Sequence, residues 1–192
     1  MQNSKIYTIF AGVNGAGKST LFQSDKSNDL GVRLNTDEFI REHGQDWKNI
    51  KAQIEAGKAI LKLQEECFEK GLSINRETTL AGNNIIESIT RAKELGYIIR
   101  LRYVGVDNPE IAKERIAKRI LLGGHGVSEE TIDRRFNSSI GNFYKIYKLC
   151  DNINIFDNSG TSLVLVAYSK EGEIKRTEVP CKWCDELLQR IK

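Results

Sequence analysis

Proline is scarce in this chain, with two prolines among 192 residues. No proline-rich or low-complexity stretch interrupts the sequence, which argues against a flexible linker between domains. Hydrophobic residues make up 40% of the chain and charged residues 29%, the balance of an ordinary soluble globular protein. A chain of this length suffices for one hydrophobic core and is short for two domains. We therefore expect a single domain over residues 1–192.

Cysteine is also rare, and the four cysteines are Cys67, Cys150, Cys181 and Cys184. They are too few and too scattered for a disulfide framework in a chain of this size, so reduced thiols are expected. The C-x-x-C spacing of Cys181 and Cys184 is found in half zinc sites and in redox pairs, but no second such pair accompanies it. The alternative is a C-terminal helix over residues 181–191 in which these cysteines pack as small apolar groups.

A strong charge of one sign and long apolar runs are both missing. The net charge of +3 and the isoelectric point near 8.6 fall short of the basic balance of a dedicated nucleic-acid binder, so no nucleic-acid partner is expected. No apolar run approaches membrane-spanning length, and the N-terminus shows no signal-peptide pattern. These features predict a cytoplasmic protein without a membrane partner.

The clearest motif follows an apolar run near the N-terminus. Residues 12–20 read GVNGAGKST and match the Walker A phosphate-binding pattern G-x-x-x-x-G-K-[ST] at every fixed position. A strand that ends in a glycine-rich turn and opens a helix directs several backbone N–H groups at one point, which favours phosphate. Lys18 is then expected to neutralise the β and γ phosphates, and the Ser19 hydroxyl to ligate Mg²⁺.

This motif predicts ATP and Mg²⁺ as cofactors. The predicted ATP-binding residues are Gly12, Asn14, Gly15, Ala16, Gly17, Lys18, Ser19 and Thr20. The alternative is a tight turn with a solvated lysine.

Strand and helix patterns alternate along the chain. Apolar and alternating runs predict strands over residues 6–11, 31–35, 72–74, 97–106, 152–156 and 163–169, followed by a hairpin turn at 169–173 and a short edge strand. Amphipathic patterns predict helices over residues 18–23, 46–70, 83–95 and 109–122, and another that opens at 128. The order predicts a three-layer α/β/α P-loop NTPase of the kinase type with a mostly parallel sheet. Two helices around the break at residues 123–126 are typical of a lid, which we place at about 109–148.

Ligands of parallel α/β sheets bind beyond the carboxyl ends of the strands, a rule that brings Asp37, Glu77 and Asp157 near the phosphate loop. Asp37 is placed to accept the proton of an attacking substrate hydroxyl, which phosphoryl transfer requires. In the alternative, Thr36 caps the next helix, and Asp37 and Glu38 only favour its positive end.

Glu77 combines with the hydroxyls of Thr78 and Thr79 in a set suited to holding a polar substrate. An ordinary helix cap would have a similar sequence. A Walker B strand is not evident, because the strand over residues 97–106 leads into Asp107-Asn108-Pro109, which indicates a turn and a helix cap.

Arginines are concentrated in the predicted lid. Arg115 and Arg119 lie four apart on one helix face, and Arg134 and Arg135 lie beyond the glycine break. Guanidinium groups are suited to stabilise the charge that spreads over a phosphoryl group during transfer. The alternative is a solvated face with ion pairs to Glu114, Glu129 and Glu130. His125, flanked by glycines, is expected to contact substrate or phosphate from a mobile loop.

Taken together, these motifs resemble the zeta toxin family of P-loop kinases, and more closely its stand-alone branch of predicted ATPases. The resemblance spans most of the chain. It rests on residues 12–20, 35–37, 56–58, 77–82, 115–119, 123–127, 134–136 and 156–159, whose order and spacing are similar to those of the family.

The resemblance implies a kinase that uses ATP to phosphorylate the 3′-hydroxyl of the amino sugar in UDP-N-acetylglucosamine, and an antitoxin partner that blocks the ATP site. The resemblance implies that Asp37 is the general base and that Lys18 and Ser19 bind the nucleotide and Mg²⁺. Glu77 and Thr79 would then face the sugar nucleotide.

The resemblance also implies two phosphate-stabilising arginines. One is Arg119, and the other is Arg134 or Arg135. We prefer Arg135, which leaves Arg134 to substrate binding. This chain has Lys58 at a position where the family more often has arginine. The substitution replaces a planar, bidentate guanidinium by an ammonium group that acts as a point charge. Two other hypotheses stay open, a nucleotide hydrolase that needs no acceptor and a nucleotide-gated binding module.

Overall fold

The computed structural model describes residues 4–191 and contains a seven-stranded sheet in the order β2-β3-β1-β4-β5-β6-β7. The strands are β1 (Ile6–Ala11), β2 (Val32–Leu34), β3 (Ile74–Thr78), β4 (Ile98–Gly105), β5 (Asn152–Asp157), β6 (Val164–Lys170) and β7 (Glu173–Arg176). The first five are parallel, and β6 and β7 pair antiparallel at one edge. The mostly parallel sheet is confirmed.

Helices cover both faces of this sheet. They are α1 (Lys18–Ser24), α2 (Thr36–Glu42), α3 (Ile50–Glu69), α4 (Asn84–Glu94), α5 (Pro109–Leu121), α6 (Glu129–Ile146) and α7 (Lys182–Gln189), with a 3₁₀ turn at Tyr147–Leu149. The core has two clusters: α3, α4, α6 and α7 pack on the face that carries Tyr7 and Ile9, while α1, α5 and the start of α6 pack around Phe10 on the other. All six residues of β1 are buried, as expected of a central parallel strand. The predicted three-layer α/β/α fold is confirmed.

Strand register brings the functional segments to one edge. Ala11, the last residue of β1, lies beside Thr78 of β3 and Tyr103 of β4, and Gly105 of β4 lies beside Asp157 of β5. The loops that leave these strands therefore meet above the carboxyl ends of the sheet, as the rule for parallel sheets predicts.

Two predicted elements differ from the structure by four residues at one end. The third strand was expected over 72–74 but runs from Ile74 to Thr78, so Glu77 and Thr78 lie within it and not after it. Its polar half is still a strand because it pairs with β1 as far as Ala11. The helix expected from 46 begins at Ile50, where the Asn49 side chain accepts hydrogen bonds from the N–H groups of Lys51 and Ala52.

Local turn and cap signals agree with the structure. Asn108 caps α5 with proline in the first turn, and Ser128 caps α6. Glu171 and Gly172, at φ of 56° and 83°, form the two-residue turn between β6 and β7. No helix within residues 4–191 has the length and apolar character needed to cross a membrane.

The C-x-x-C cysteines are buried at the base of α7, a helix shorter than the predicted 181–191. Burial raises the pKa of the Cys184 thiol to about 12, so it remains protonated and packs as an apolar group. Among the described residues, no cluster of three or more histidine, cysteine, aspartate or glutamate side chains could hold a metal ion.

Candidate active site

The phosphate loop leaves β1 directly beneath the backbone of β4. Gly12 has a φ of +142°, and a Cβ atom there would lie 2.2 Å from the carbonyl oxygen of Val104. Gly17 has a φ of +106°, and a Cβ atom there would meet the Asn158 side chain, whose Nδ2 donates a hydrogen bond to the Ala16 carbonyl at 2.7 Å. Glycine at these two positions therefore sets the path of the loop.

Lys18 begins α1 and folds back over the loop, where its Nζ donates a hydrogen bond to the Val13 carbonyl at 3.1 Å. The residue is only 7% exposed. Burial lowers the pKa of Lys18, while the nearby carboxylates of Glu77 and Asp37 act in the opposite direction. A solvated lysine on an ordinary turn, the alternative from the sequence, does not match this burial.

Two cavities adjoin the loop. The first, which we call the loop cavity, has a volume of about 460 Å³. It is lined by Asn14, Gly15, Gly17, Lys18, Ser19, Thr20, Asp37, Glu77, Arg115, Ile116, Arg119 and Asn158. It therefore contains most of the predicted ATP-binding residues together with both arginines of α5. Gly12 and Ala16 are buried and shape the loop from below.

The second cavity, which we call the adjoining cavity, has a volume of about 360 Å³. It is lined by Asn14, Lys18, Asn35, Thr36, Asp37, Ile40, Gln53, Arg76, Glu77, Thr78, Thr79, Gly82, Asn84, His125, Val127 and Arg135. Asn14, Lys18, Asp37 and Glu77 line both cavities, so the two spaces meet at these side chains.

Asp37 stands in the first turn of α2 at this junction. The helix is capped by Asn35, whose Oδ1 accepts hydrogen bonds from the N–H groups of Asp37 at 2.9 Å and Glu38 at 3.3 Å. Asn35, not Thr36, is therefore the cap. The Asp37 carboxylate is 55% exposed, and its Oδ1 lies 3.8 Å from Nε2 of His125. It is free to meet a ligand from either cavity.

Glu77 is the most strongly bonded carboxylate of the site. It accepts hydrogen bonds from Ser19 Oγ at 2.9 Å, Arg33 Nη2 at 2.7 Å and Asn35 Nδ2 at 3.1 Å, and its side chain is 13% exposed. From its sequence context, Glu77 was expected at the substrate or as a helix cap. The structure places it in β3 and in contact with the serine of the phosphate loop.

Two groups of arginines differ in their partners. Five of them, Arg33, Arg91, Arg100, Arg102 and Arg176, each form an ion pair with a carboxylate. Four other arginines line the two cavities: Arg76, Arg115, Arg119 and Arg135. Within residues 4–191, no carboxylate oxygen lies within 4.0 Å of their guanidinium groups. The expected alternative of ion pairs with Glu114, Glu129 and Glu130 is therefore absent from the described part of the chain.

The cavity arginines bond neutral oxygens instead. Arg119 Nε donates to the His125 carbonyl at 2.5 Å, and Arg135 Nη1 donates to Asn14 Oδ1 at 2.8 Å. Arg115 Nη1 and Arg119 Nη2 are buried and have no hydrogen-bond partner among the described residues. Such groups favour an anionic ligand. Arg134 is exposed and lines neither cavity, because the adjacent helix position of Arg135 faces the loop.

His125 links the glycine-rich break to Asp37. Its ring packs edge-on against Trp47, with 4.7 Å between ring centroids, and its Nδ1 is buried without a partner in the described chain. Burial, together with Arg119 and Arg135, lowers the pKa of His125 despite the proximity of Asp37. A neutral imidazole therefore adjoins the carboxylate. Thr78 and Thr79 line the adjoining cavity together with His125.

Sequence reasoning missed several residues of the site. Asn35 and Asn158 organise α2 and the loop, and Arg76 lines the adjoining cavity. Asn35 and Asn158 stand within segments that carried the family resemblance, so their positions were a usable signal. Arg76 had no such signal, because its partner Gln64 is distant in sequence.

Comparison with known proteins settles the family. The zeta toxin family model matches residues 1–168, which is most of the chain. The chain belongs to the zeta toxin family. A Haemophilus influenzae protein of uncharacterised function is 32% identical over 136 residues, covering 71% of this chain and 94% of its own length. Membership of this family of kinase-like P-loop proteins supports a nucleotide-dependent kinase.

Solved structures share the fold of this chain. A chain of the PezAT chromosomal toxin-antitoxin system of Streptococcus pneumoniae matches 98% of this chain and 85% of its own length, with a TM-score of 0.67 and 19% identity. A chain of the AvrRxo1-ORF1:ORF2 complex solved with ATP matches with a TM-score of 0.68 and 17% identity. The match covers 98% of this zeta toxin family member but only 63% of the longer AvrRxo1 chain. At sequence identities of 19% and 17%, the similarity to these two structures shows a shared fold and nothing more.

Proposed function

We propose that this zeta toxin family member is an ATP-dependent phosphotransferase that moves the γ-phosphoryl group of ATP to a hydroxyl of a small molecule. The observation that carries the proposal is the junction of the two cavities at Lys18 and Asp37. A donor in the loop cavity and an acceptor in the adjoining cavity would meet there, as transfer between two bound substrates requires.

The loop cavity suits a triphosphate. Lys18 and the unpaired arginines Arg115 and Arg119 supply positive charge around the loop, and Arg135 reaches it through Asn14. Phosphoryl transfer relies mainly on positioning and on charge stabilisation of this kind. The structural relative solved with ATP supports the choice of nucleotide. We propose that α5, the glycine break and α6, at about 109–148, act as the lid over the phosphates.

The residues beside the loop fit Mg²⁺. Ser19 Oγ lies 2.9 Å from a Glu77 carboxylate oxygen, and hydroxyl and carboxylate oxygens are ligands that this hard cation accepts. Mg²⁺ usually takes only one or two protein carboxylates besides substrate phosphates, so this pair suffices on the protein side. Ser19 and Glu77 would hold the ion, which neutralises phosphate charge when bound.

Asp37 is the proposed base. It would accept the proton of the acceptor hydroxyl while the hydroxyl oxygen forms its bond to the γ-phosphorus. The bond between that phosphorus and the β–γ bridging oxygen breaks, and ADP leaves with the bonding electrons. Positive charge from Lys18, Arg119 and Arg135 stabilises the group in transit. Because burial lowers the pKa of His125, its neutral imidazole forms no ion pair with Asp37.

UDP-N-acetylglucosamine is the first candidate acceptor, because the family resemblance implies it. Glu77, Thr78, Thr79 and His125 line the adjoining cavity and would contact it. Arg134, the other residue assigned to the substrate, would need a movement of α6 to reach it. The PezAT relative is part of a toxin-antitoxin system, so an antitoxin that covers the ATP site is the proposed protein partner.

The test separates ATP binding from transfer. In Asp37→Asn, ATP affinity measured by calorimetry should remain close to wild type, while the rate of phosphorylation of UDP-N-acetylglucosamine falls by about 10²- to 10⁴-fold, the usual contribution of a general base. Glu42→Gln, which removes an exposed carboxylate from the same helix, serves as the control and should transfer normally. Unchanged transfer in Asp37→Asn would exclude the base, and ATP hydrolysis that ignores the acceptor would favour a hydrolase.

A further inference from the structure

Arg76 is a cationic side chain of the adjoining cavity that the proposed reaction has not used. It lies in β3, is half-buried and lines the cavity together with Thr78 and Glu77. Its Nη1 donates a hydrogen bond to Gln64 Oε1 at 3.0 Å. No other hydrogen bond and no carboxylate within 4.0 Å engages its guanidinium among residues 4–191.

The contact with Gln64 holds one side of the guanidinium. Gln64 is 2% exposed, and its Oε1 also accepts a hydrogen bond from Ser88 Oγ at 3.0 Å and lies 3.5 Å from the hydroxyl of Tyr7. This buried network joins β1, α3 and α4, so the oxygen that Arg76 bonds is fixed by packing. The Nε and Nη2 groups of Arg76 have no hydrogen-bond partner among the described residues, and the residue lines the cavity.

The paired arginines show how this protein neutralises a guanidinium that lines neither cavity. Arg33, on the neighbouring strand β2 and with a side chain 16% exposed, contacts the carboxylates of both Glu38 and Glu77. A half-buried guanidinium without such a partner is poorly compensated. Its planar fork matches the geometry of a phosphate oxygen pair. The adjoining cavity therefore offers an anion site on the wall formed by β3.

We propose that Arg76 determines acceptor specificity by binding a phosphate group of the acceptor, so that the adjoining cavity selects phosphorylated sugars over neutral ones. This inference rests on the proposed function, because it assumes that the adjoining cavity holds the acceptor. Arg76 binds and selects, whereas Asp37 and Lys18 carry the chemistry. Gln64 acts through Arg76 as a positioning residue.

Equilibrium binding tests the assignment without any turnover. The loop cavity is first saturated with the non-hydrolysable analogue AMP-PNP and Mg²⁺. Binding of N-acetylglucosamine 1-phosphate, UDP-N-acetylglucosamine and neutral N-acetylglucosamine is then measured by calorimetry. Wild type should prefer both phosphorylated probes to the neutral sugar. Arg76→Gln should weaken the phosphorylated probes by about 10- to 100-fold, the range of a lost charge-assisted hydrogen bond, and leave the neutral sugar unaffected.

Three further variants complete the design. Arg76→Lys keeps the charge but not the fork and should retain part of the preference. Gln64→Met should weaken the phosphorylated probes less than Arg76→Gln does, because the guanidinium remains but loses its anchor. Arg91→Gln, which removes a surface arginine paired with Glu65, should bind all probes as wild type does. Unaltered AMP-PNP affinity shows that each variant is folded.

Two results would overturn the assignment: a wild type that shows no preference for the phosphorylated probes, or an Arg76→Gln variant that keeps the wild-type preference. A different result would refute the proposed kinase function. A protein whose Arg76-dependent binding is intact but which transfers no phosphoryl group from ATP would retain the anion site and lose the kinase assignment.

Discussion

Replacement of Gly12 by alanine probes the close approach of the phosphate loop to the sheet. The new Cβ would lie 2.2 Å from the oxygen and 3.2 Å from the carbon of the Val104 carbonyl. Both contacts are with the backbone of β4, a central strand, so no side chain can turn aside to make room. The φ of +142° adds strain, because residues with a Cβ rarely adopt it.

The strain at Gly12 and the clash with Val104 together set the expected loss of stability. A strained backbone conformation costs about 1–3 kcal/mol, and overpacking costs about 1–3 kcal/mol. Gly12→Ala should therefore lower the free energy of unfolding by about 2–6 kcal/mol, a large part of the roughly 5–15 kcal/mol of a typical protein. The loop should also shift, which weakens ATP binding.

The assay is urea unfolding followed by circular dichroism, with ATP affinity measured on the folded fraction. Gly141→Ala is the matched control, because Gly141 lies in α6 and its added Cβ would meet nothing within 4 Å. That variant should gain about 0.5–1 kcal/mol from helix propensity. If Gly12→Ala unfolds within about 0.5 kcal/mol of wild type, the packing of the loop against β4 is not as described.

Two more changes test the side chains around the loop. Glu77→Gln should lower the free energy of unfolding by about 1–3 kcal/mol, because it leaves Arg33 without its better buried partner, and should weaken Mg²⁺-dependent ATP binding. Glu38→Gln, at the more exposed partner of Arg33, should change both quantities less, and equal effects on the two variants would contradict the network. Because burial lowers the pKa of His125, the unfolded chain binds this proton more readily, so stability falls as the pH drops through about 6.5. His125→Gln should flatten that fall in urea unfolding measured across this pH range, whereas exposed His43→Gln should keep it; a wild-type profile in His125→Gln would refute the burial.

The sheet and the phosphate loop could be predicted from the sequence because their signals are local. An apolar run, glycines at fixed spacing and caps such as Asn108 each act over a few residues. The polar end of β3 was missed because Arg76 and Glu77 interrupt the apolar pattern of a strand. Their partners Gln64 and Arg33 are far away in the chain, so no local pattern reveals that the strand continues.

The residues that line the candidate site were predictable in type, but their geometry was less so. Asp37, Lys18 and Glu77 do meet, but the Ser19 contact that occupies Glu77 depends on the register of β3 against β1. The choice between Arg134 and Arg135 depends on the rotation of α6. Neighbouring helix positions point about 100° apart, so only one of the two arginines can reach Asn14.

Phosphorylation of the acceptor tests most directly whether this protein is a small-molecule kinase. Wild-type protein is incubated with ATP, Mg²⁺ and UDP-N-acetylglucosamine, and the sugar nucleotide is followed by mass spectrometry alongside ADP, with Lys18→Ala and Asp37→Asn as controls. We expect a sugar nucleotide heavier by one phosphoryl group, formed together with an equal amount of ADP and only by wild type. Bound ATP with an unmodified sugar nucleotide, or the same product from both variants, would contradict it.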